Sequence, residues 1–249
     1  MKNAVQRVIL CEGFDDRDFL QGLLPRLGCK RANDADGKVR DPWKKTVSQG
    51  MHGYRCKDGE TFLLVHQVGG KHNLQKVART YLSDQNRPCS HLLVTLDLDD
   101  KAESDAMAAF AGLAEEFELS PDPSRESRWA KANQTLSAAL WNSEQSSTPG
   151  IPEEQTLERL ICTALVRAYE EGCGEAVDSW LAASPYKLGS VPVDATGKRH
   201  LWSFFSKWFA NYGRDYFFQK MWTEEAVAKG LEQQLRLGGT WARFEEIAV

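Results

Sequence analysis

The sequence predicts an α/β protein, with a parallel sheet flanked by helices and a helical C-terminal portion. Two observations predict this fold. Short apolar runs typical of strands alternate three times with stretches of helical spacing over the first 120 residues or so. Beyond residue 150, apolar residues recur mostly at helical spacing. With 249 residues, 42% of them hydrophobic and 27% charged, the chain can bury a large core, which excludes a disordered protein.

The first strand–helix pair opens the chain. The β-branched-rich run Val5–Cys11 predicts a strand that ends at Glu12. A helix is predicted over Phe14–Leu27, because apolar residues recur there every three or four positions. Asp15 and Asp16 lie in its first turn, where the positive end of the helix dipole favours acidic side chains.

Residues 30–60 are polar and rich in Gly, Lys and Arg, and we interpret them as a long inserted loop. Between residues 30 and 55 seven Lys or Arg stand against three Asp, a local excess of four positive charges. Such a segment either contacts the phosphates of a nucleic acid or is simply a solvated loop, and its composition fits both. The basic residues are Lys30, Arg31, Lys38, Arg40, Lys44, Lys45 and Arg55.

Two more strand–helix pairs follow. Thr61–Val68 predicts a strand closed by two glycines, with a helix over Leu74–Leu82. His91–Leu98 predicts a third strand, and Met107–Phe117 a third helix. Strands that alternate with helices in this way pair in parallel.

The remainder is predicted to be mostly helical. A polar stretch at Ser120–Ser127 interrupts the alternation, and Leu136–Trp141 predicts one more strand. Helices are predicted over Pro152–Glu171, 200–222 and 224–237.

The change of pattern divides the chain into an α/β core at residues 1–120 and a helical extension at 121–249. We expect the two to form one compact unit. Residues 202–222 include ten aromatic side chains in 21 positions. Their helical spacing favours a core helix pair or a partner interface over a surface that stacks on bases.

Several classes of protein are excluded by composition. The six cysteines are scattered singly, which is typical of reduced core residues in a cytoplasmic protein. The five histidines form no HExxH or HxH pair, which argues against a zinc site. No apolar run approaches the roughly 20 residues that span a bilayer, and the amino terminus lacks a signal-peptide pattern. The sequence therefore predicts a cytoplasmic protein without membrane association.

Acidic residues follow two of the predicted strands. Glu12 lies at the end of the first strand, and Asp16 lies about one helical turn later. Asp97 and Asp99 end the third strand and point to the same side, about 6.6 Å apart. In open α/β sheets, ligands bind beyond the carboxyl ends of the strands. Glu158 flanks the apolar stripe of a later helix, so its side chain could reach inward.

These carboxylates predict a divalent metal site. Clustered carboxylates repel one another, and burying them without a counter-charge is costly. Oxygen-only ligands favour Mg²⁺ or Mn²⁺ over Zn²⁺. Each acid alone is also explained as a helix cap or a solvated strand end. The strand-end Glu together with the later Asp-x-Asp favours metal binding. The predicted ligands are Glu12, Asp16, Asp97, Asp99 and Glu158.

Glu12-Gly-Phe-Asp-Asp16 followed by Val94-Thr-Leu-Asp97-Leu-Asp99 resembles the Toprim domain of topoisomerases, DnaG-type primases and OLD-family nucleases. In that family a Glu after the first strand and a DxD after a later one bind Mg²⁺. The segment Val68-Gly-Gly-Lys71-His-Asn-Leu74 resembles stand-alone Toprim proteins close to the OLD nucleases. The resemblance implies a Toprim, Rossmann-like sheet. It covers residues 5–117 well and 150–200 loosely, with 30–60 as an insertion. No GxxxxGK[ST] motif is present, so the ATPase half of an OLD protein is absent.

The resemblance also implies metal-assisted phosphodiester hydrolysis, with two Mg²⁺ or Mn²⁺ ions. Glu12 and Asp97 are then catalytic, and Glu12 also accepts or donates a proton at the scissile group. Glu158 and Lys198 match a further Glu and Lys in the OLD-like group. Either Lys198 or Lys71 would neutralise charge that develops on the phosphate. Both lysines are also explained as solvated surface cations.

The function implied is that of an endonuclease, with DNA favoured over RNA as substrate. Its OLD-like relatives imply a role in anti-phage defence and dependence on a separate ATPase or regulatory partner. Two alternatives stay open. One is a Toprim ribonuclease of RNA maturation, and the other is a non-catalytic Toprim binding module in a larger complex. Self-association is compatible with all three.

Overall fold

The computed structural model describes residues 6–32, 51–85, 88–98, 102–144, 147–169, 172–183, 196–206 and 214–249. The chain divides into two compact units. Unit 1 contains Met1–Leu96, Ala102–Ala139 and Ala242–Val249. Unit 2 contains Asp97–Lys101 and Leu140–Trp241. The predicted division of the chain lies at residue 120. Compared with that prediction, the observed division adds residues 121–139 and 242–249 to the α/β unit.

The strands and helices have the following bounds. The strands are β1 (Gln6–Cys11), β2 (Lys30–Arg31), β3 (Met51–Arg55), β4 (Phe62–Gln67), β5 (Cys89–Asp97), β6 (Ser120–Pro121), β7 (Arg128–Lys131) and β8 (Gln134–Trp141). The helices are α1 (Phe14–Arg26), α2 (Lys71–Ser83), α3 (Glu103–Glu116), α4 (Leu157–Ala168), α5 (Cys173–Ala183), α6 (Thr196–Phe204), α7 (Arg214–Thr223), α8 (Glu225–Leu237) and α9 (Thr240–Ala248).

The sheet has the strand order β2-β3-β4-β1-β5-β8-β7-β6 within the described residues. Its centre is parallel, because β1 pairs in parallel with both β4 and β5. Val8, Ile9 and Leu10 of β1 are all fully buried, so both faces of this central strand are covered. The three predicted strand–helix pairs are confirmed as β1–α1, β4–α2 and β5–α3, and the fold is α/β.

Both edges of the sheet contain antiparallel strands. The prediction of a loop over residues 30–60 is wrong for β2 and β3, which extend the sheet from β4. Strand β3 has Gly53 at its centre and polar neighbours, so its sequence lacks a clear alternation, although Tyr54 is fully buried. Residues 33–50 lie outside the described residues. At the other edge, β6 and β7 fall in or next to the predicted polar break.

Unit 2 is helical, with α4 at its centre. Helix α4 contacts α6 and α8, and residues 157–165 are all buried. It begins at Leu157, five residues later than predicted, because Thr156 caps it by accepting a hydrogen bond from Arg159 N–H at 3.4 Å. The predicted helix over 200–222 corresponds to α6 and α7, with residues 207–213 outside the described residues. The prediction of a helix over 224–237 is confirmed by α8.

The last residues of the chain belong to unit 1. Arg7 in β1 donates hydrogen bonds from Nη1 to the carbonyls of Ile247 (3.0 Å) and Val249 (2.9 Å). The N–H of Lys57 donates to the carbonyl of Ala248 at 3.2 Å. These bonds satisfy carbonyls that the end of a helix leaves without intrahelical partners. Helix α9 is therefore fastened to the first strand and to the turn after β3.

Two composition-based predictions can be compared with the fold. All six cysteines are free thiols and buried, as predicted for reduced core residues. No helix in the described part of the chain is long and apolar enough to span a membrane.

Candidate functional site

Glu12 follows β1 at the carboxyl edge of the parallel strands. Its backbone carbonyl accepts hydrogen bonds from Gln67 Nε2 (3.2 Å) and from Gly70 N–H (3.1 Å). Gly69 and Gly70 have φ angles of 79° and 118°, a region that favours glycine. The Gly-Gly turn after β4 thus holds the backbone of Glu12, whose side chain is half-buried.

Asp16 is buried in the first turn of α1, with 7% exposure. Its Oδ2 atom accepts the Gly13 N–H at 3.0 Å, which satisfies one of the unbonded amides at the helix start. Asp16 therefore has a structural role in shaping the turn after Glu12.

Asp97 ends β5 and contacts the start of α4 within unit 2. Its Oδ1 atom accepts the N–H of Leu157 at 2.9 Å. The next residue, Leu98, donates its N–H to the carbonyl of Gln155 at 2.9 Å. These two bonds join the end of the strand to the segment that leads into α4. The negative charge of Asp97 is favourable there because a helix N-terminus carries partial positive charge.

Glu158 lies in the first turn of α4 and is only 7% exposed. The N-terminal turn of α6 lies directly against it. A Cβ atom built on Gly197 would be 3.2 Å from Glu158 Cβ and 3.4 Å from Thr156 Oγ1, so the absence of a side chain permits this approach. Lys198 is the next residue and is exposed. The structure thus brings Asp97, Glu158 and the backbone that carries Lys198 to the start of α4.

Arg159 supports this arrangement and was not predicted from the sequence. Its side chain is 3% exposed, and its guanidinium donates to the carbonyls of Pro152 and Glu144, the latter at 2.9 Å. Burial lowers the pKa of Arg159. The two carbonyls come from the segment before α4, so Arg159 holds that segment against the helix. Nothing in the local spacing distinguishes this arginine from a surface residue.

A second feature not predicted lies next to Glu12. Phe14 is 48% exposed, and the Arg17 guanidinium lies 4.8 Å from the centre of its ring. Arg17 also bonds Asp18 through Nε (2.9 Å) and Nη2 (2.6 Å). The sequence signal that could have identified this feature is an aromatic residue directly after the Glu-Gly that ends the strand.

The predicted metal ligands fall in both units. Glu12 and Asp16 belong to unit 1, whereas Asp97 and Glu158 belong to unit 2. Asp99 lies outside the described residues. Among the side chains that are described, no three from His, Cys, Asp and Glu come together as a metal-binding group.

The predicted nucleic-acid contacts are only partly within the described residues. Lys30 and Arg31 are exposed on the short edge strand β2. Lys71 is half-buried and is the first residue of α2, directly after the Gly-Gly turn. Lys38, Arg40, Lys44 and Lys45 lie outside the described residues.

No protein-family model matches this chain, and no curated protein matches it. The fold is similar to the crystal structure of a hypothetical protein from Pyrococcus horikoshii OT3, with a TM-score of 0.60 and 15% sequence identity. The match covers 98% of this chain and 100% of that protein. This chain therefore shares its overall fold with the archaeal protein.

Proposed function

We propose that this chain is a Toprim-type, Mg²⁺- or Mn²⁺-dependent nuclease that hydrolyses phosphodiester bonds in nucleic acid. The proposed ligands are the carboxylates predicted from the sequence, namely Glu12, Asp16, Asp97, Asp99 and Glu158. DNA is the favoured substrate and RNA the alternative. A role in anti-phage defence and a separate ATPase partner belong to the same proposal, and both rest on the resemblance to the OLD-like nucleases.

The observation that carries the proposal is the meeting of Asp97 and Glu158 at the start of α4. One carboxylate ends a buried parallel strand, and the other is buried in the first helical turn beside it. Purely structural acids at a helix start are usually solvated, whereas Glu158 is almost fully enclosed.

Strand topology supports the inclusion of Glu12. Strand β1, which Glu12 follows, pairs in parallel with β5, so their carboxyl ends lie at the same edge of the sheet. In open α/β sheets this edge is where ligands bind. The donor set offered by these residues is carboxylate oxygen, which suits Mg²⁺ and Mn²⁺.

Each proposed residue has a chemical task. Bound divalent cations would activate the attacking water and stabilise the leaving oxygen. Glu12 accepts or donates a proton at the scissile group. Lys198 supplies positive charge to the phosphate as negative charge develops on it. Asp97 orients the start of α4 through its Oδ1 atom and is one of the proposed cation ligands.

The decisive experiment compares wild type with Asp97→Asn. Asparagine retains an oxygen that accepts the Leu157 N–H, so the substitution removes the charge and keeps the helix contact. The matched control is Asp105→Asn, because Asp105 is an exposed acid in the first turn of α3. Cleavage of plasmid DNA and of structured RNA is measured with Mg²⁺, Mn²⁺ or EDTA, and Mn²⁺ binding is measured by calorimetry.

We expect metal-dependent cleavage by wild type and by Asp105→Asn, and loss of both cleavage and Mn²⁺ binding in Asp97→Asn. Selective cleavage of structured RNA would favour the ribonuclease of RNA maturation. Absence of cleavage together with absence of Mn²⁺ binding in wild type would contradict the nuclease. The chain would then fit the non-catalytic binding module.

A further inference from the structure

Two of the buried cysteines flank neighbouring strands of unit 1, because Cys29 directly precedes β2 and Cys56 directly follows β3. Strand β2 pairs antiparallel with β3 in the register Lys30↔Arg55 and Arg31↔Tyr54. One step further in the same register places Cys29 directly opposite Cys56. Both side chains are 3% exposed. The remaining four cysteines have no such cross-strand relationship in the described pairings.

The hydrogen-bond pattern of the ladder defines the type of this pair. The N–H of Ala32 donates to the carbonyl of Gly53 at 3.0 Å, so the positions 32 and 53 are hydrogen-bonded. Hydrogen-bonded and non-hydrogen-bonded pairs alternate along an antiparallel ladder, which makes Cys29 and Cys56 a non-hydrogen-bonded pair. Their amides bond elsewhere, to the carbonyls of Leu24 (3.0 Å) and Thr61 (2.9 Å).

This geometry suits a covalent bond between the sulfurs. In a non-hydrogen-bonded pair the Cα atoms are about 4.5 Å apart, within the range of roughly 4.4–6.8 Å that disulfides need. Each thiol shifts the pKa of the other, which requires the two sulfurs to lie close together. Closing the bond therefore requires no new approach of the two strands.

We propose that Cys29 and Cys56 are a modification site, at which a small-molecule disulfide oxidises the pair to an intramolecular cross-strand disulfide. The Cys56 thiolate attacks one sulfur of the small disulfide and releases one thiolate. The Cys29 thiol then loses its proton and attacks the Cys56 sulfur, which releases the second. The pair is oxidised by two electrons and the small disulfide is reduced to two thiols.

The directions of the pKa shifts assign the first attack to Cys56. The interaction with Cys29 lowers the pKa of Cys56, against the opposing effect of burial. The interaction with Cys56, together with burial, raises the pKa of Cys29. The thiolate is the attacking species in disulfide exchange, so the sulfur with the lower pKa reacts first.

The last turn of α9 covers the pair. Cys56 Sγ lies 3.7 Å from the carbonyl oxygen of Ile247, and Cys29 Sγ lies 4.0 Å from that of Ala248. The terminal turns of helices fray. We therefore expect oxidation of the native protein to proceed slowly, at the rate at which this turn opens.

The experiment incubates the full chain with oxidised glutathione and measures thiol content and intact mass. Peptide mapping without reduction then locates any new bond. The variants are Cys29→Ser and Cys56→Ser. The matched control is Cys89→Ser, which removes another buried thiol of unit 1.

We expect wild type to lose two of its six thiols and the mass of two hydrogens, with the bond mapped to residues 29 and 56. Cys89→Ser should form the same bond. Cys29→Ser should instead retain one glutathionyl group on Cys56, and Cys56→Ser should resist both reactions. Serine is close in size to cysteine, and the peptide map of wild type decides the matter even if a variant fails to fold.

Two results would overturn the proposal. One is a native chain that keeps all six thiols under conditions in which the urea-unfolded chain forms disulfides. The other is a disulfide that maps to a different pair of cysteines.

Discussion

Asp97 Oδ1 accepts a hydrogen bond from the backbone N–H of Leu157 at 2.9 Å, which joins the end of β5 to the first residue of α4. This bond gives Asp97 a structural task that is separable from metal binding. Asp97→Ala should lower the free energy of unfolding by about 1 kcal/mol, the usual effect of losing a helix-capping acceptor. Asp97→Asn should cost less, because an acceptor remains. Urea unfolding of the two variants checks this, and equal losses would argue against the bond.

Lys198 is expected to act on the rate of cleavage and leave metal affinity unchanged. Provided that the chain cleaves nucleic acid, Lys198→Ala should reduce the rate constant by roughly 100-fold, because it removes a charge aimed at the phosphate. Single-turnover cleavage and Mn²⁺ titration separate the two effects. Arg199→Ala is the control, since Arg199 is a neighbouring exposed cation. A loss in Lys71→Ala with none in Lys198→Ala would transfer the role to Lys71.

We expect His91 to make the protein less stable in acid. It is 7% exposed and its Nε2 lies 2.7 Å from Ser137 Oγ, while burial lowers its pKa to about 4. The unfolded chain, with a histidine pKa near 6.5, then binds more protons between pH 4 and 6.5, so stability falls as pH falls through this window. We expect a loss of about 2 kcal/mol between pH 7 and pH 5 from this residue.

Urea titrations of wild type and His91→Gln at several pH values measure that contribution. Glutamine retains a polar group for Ser137 and does not titrate. His52, whose pKa is also lowered to about 4 by burial, adds a loss of the same sign in both proteins. An unchanged pH slope in His91→Gln would show that His91 is not the source.

Arg159 and Arg167 provide a comparison of two arginines on one helix. Arg159 is buried and donates to two backbone carbonyls, whereas Arg167 forms an exposed ion pair with Glu144. Arg159→Lys should cost about 1–3 kcal/mol, because a single ammonium cannot replace the planar fork and leaves buried acceptors unsatisfied. Arg167→Lys should change stability by less than about 1 kcal/mol. Equal effects in chemical denaturation would refute this assignment.

Gly174 and Gly112 should respond oppositely to alanine. A Cβ on Gly174 would overlap the carbonyl oxygen of Pro149, so Gly174→Ala should destabilise by about 1–3 kcal/mol. A Cβ on Gly112, inside α3, meets nothing within 4 Å. Gly112→Ala should therefore stabilise by about 0.5–1 kcal/mol through helix propensity. Thermal unfolding compares the two, and a gain in Gly174→Ala would contradict the packing.

The parts of the fold that could be predicted from sequence are those whose burial is local. Strand β1 and helix α1 match their predicted bounds within one residue, because a short apolar run that ends at Cys11 and a regular helical stripe each identify their own element. Strand β3 could not be predicted in this way. Tyr54 is buried where β3 pairs with β2 and β4, and its neighbours in the chain are Gly53 and Arg55.

The candidate site shows the same limit. The strand-end positions of Glu12 and Asp97 follow from the predicted strands. The later start of α4 depends on Thr156 as the cap, whereas Pro152 alone appeared suited to a first turn. The burial of Arg159 depends on carbonyls from a separate segment, and the pairing of Cys29 with Cys56 depends on strand register. Neither relationship leaves a periodic signal in the sequence.

The fastening of α9 to Arg7 has a consequence for biosynthesis. Unit 1 is made of three separate stretches of chain, and the last of these is residues 242–249. A ribosome makes Arg7 240 residues before Ile247 and 242 residues before Val249, whose carbonyls Arg7 binds. All of unit 2 is translated before the nascent first unit can close. Until the last turn of α9 has been made, it does not cover the sulfurs of Cys29 and Cys56. The two sulfurs are therefore most accessible to oxidants during translation.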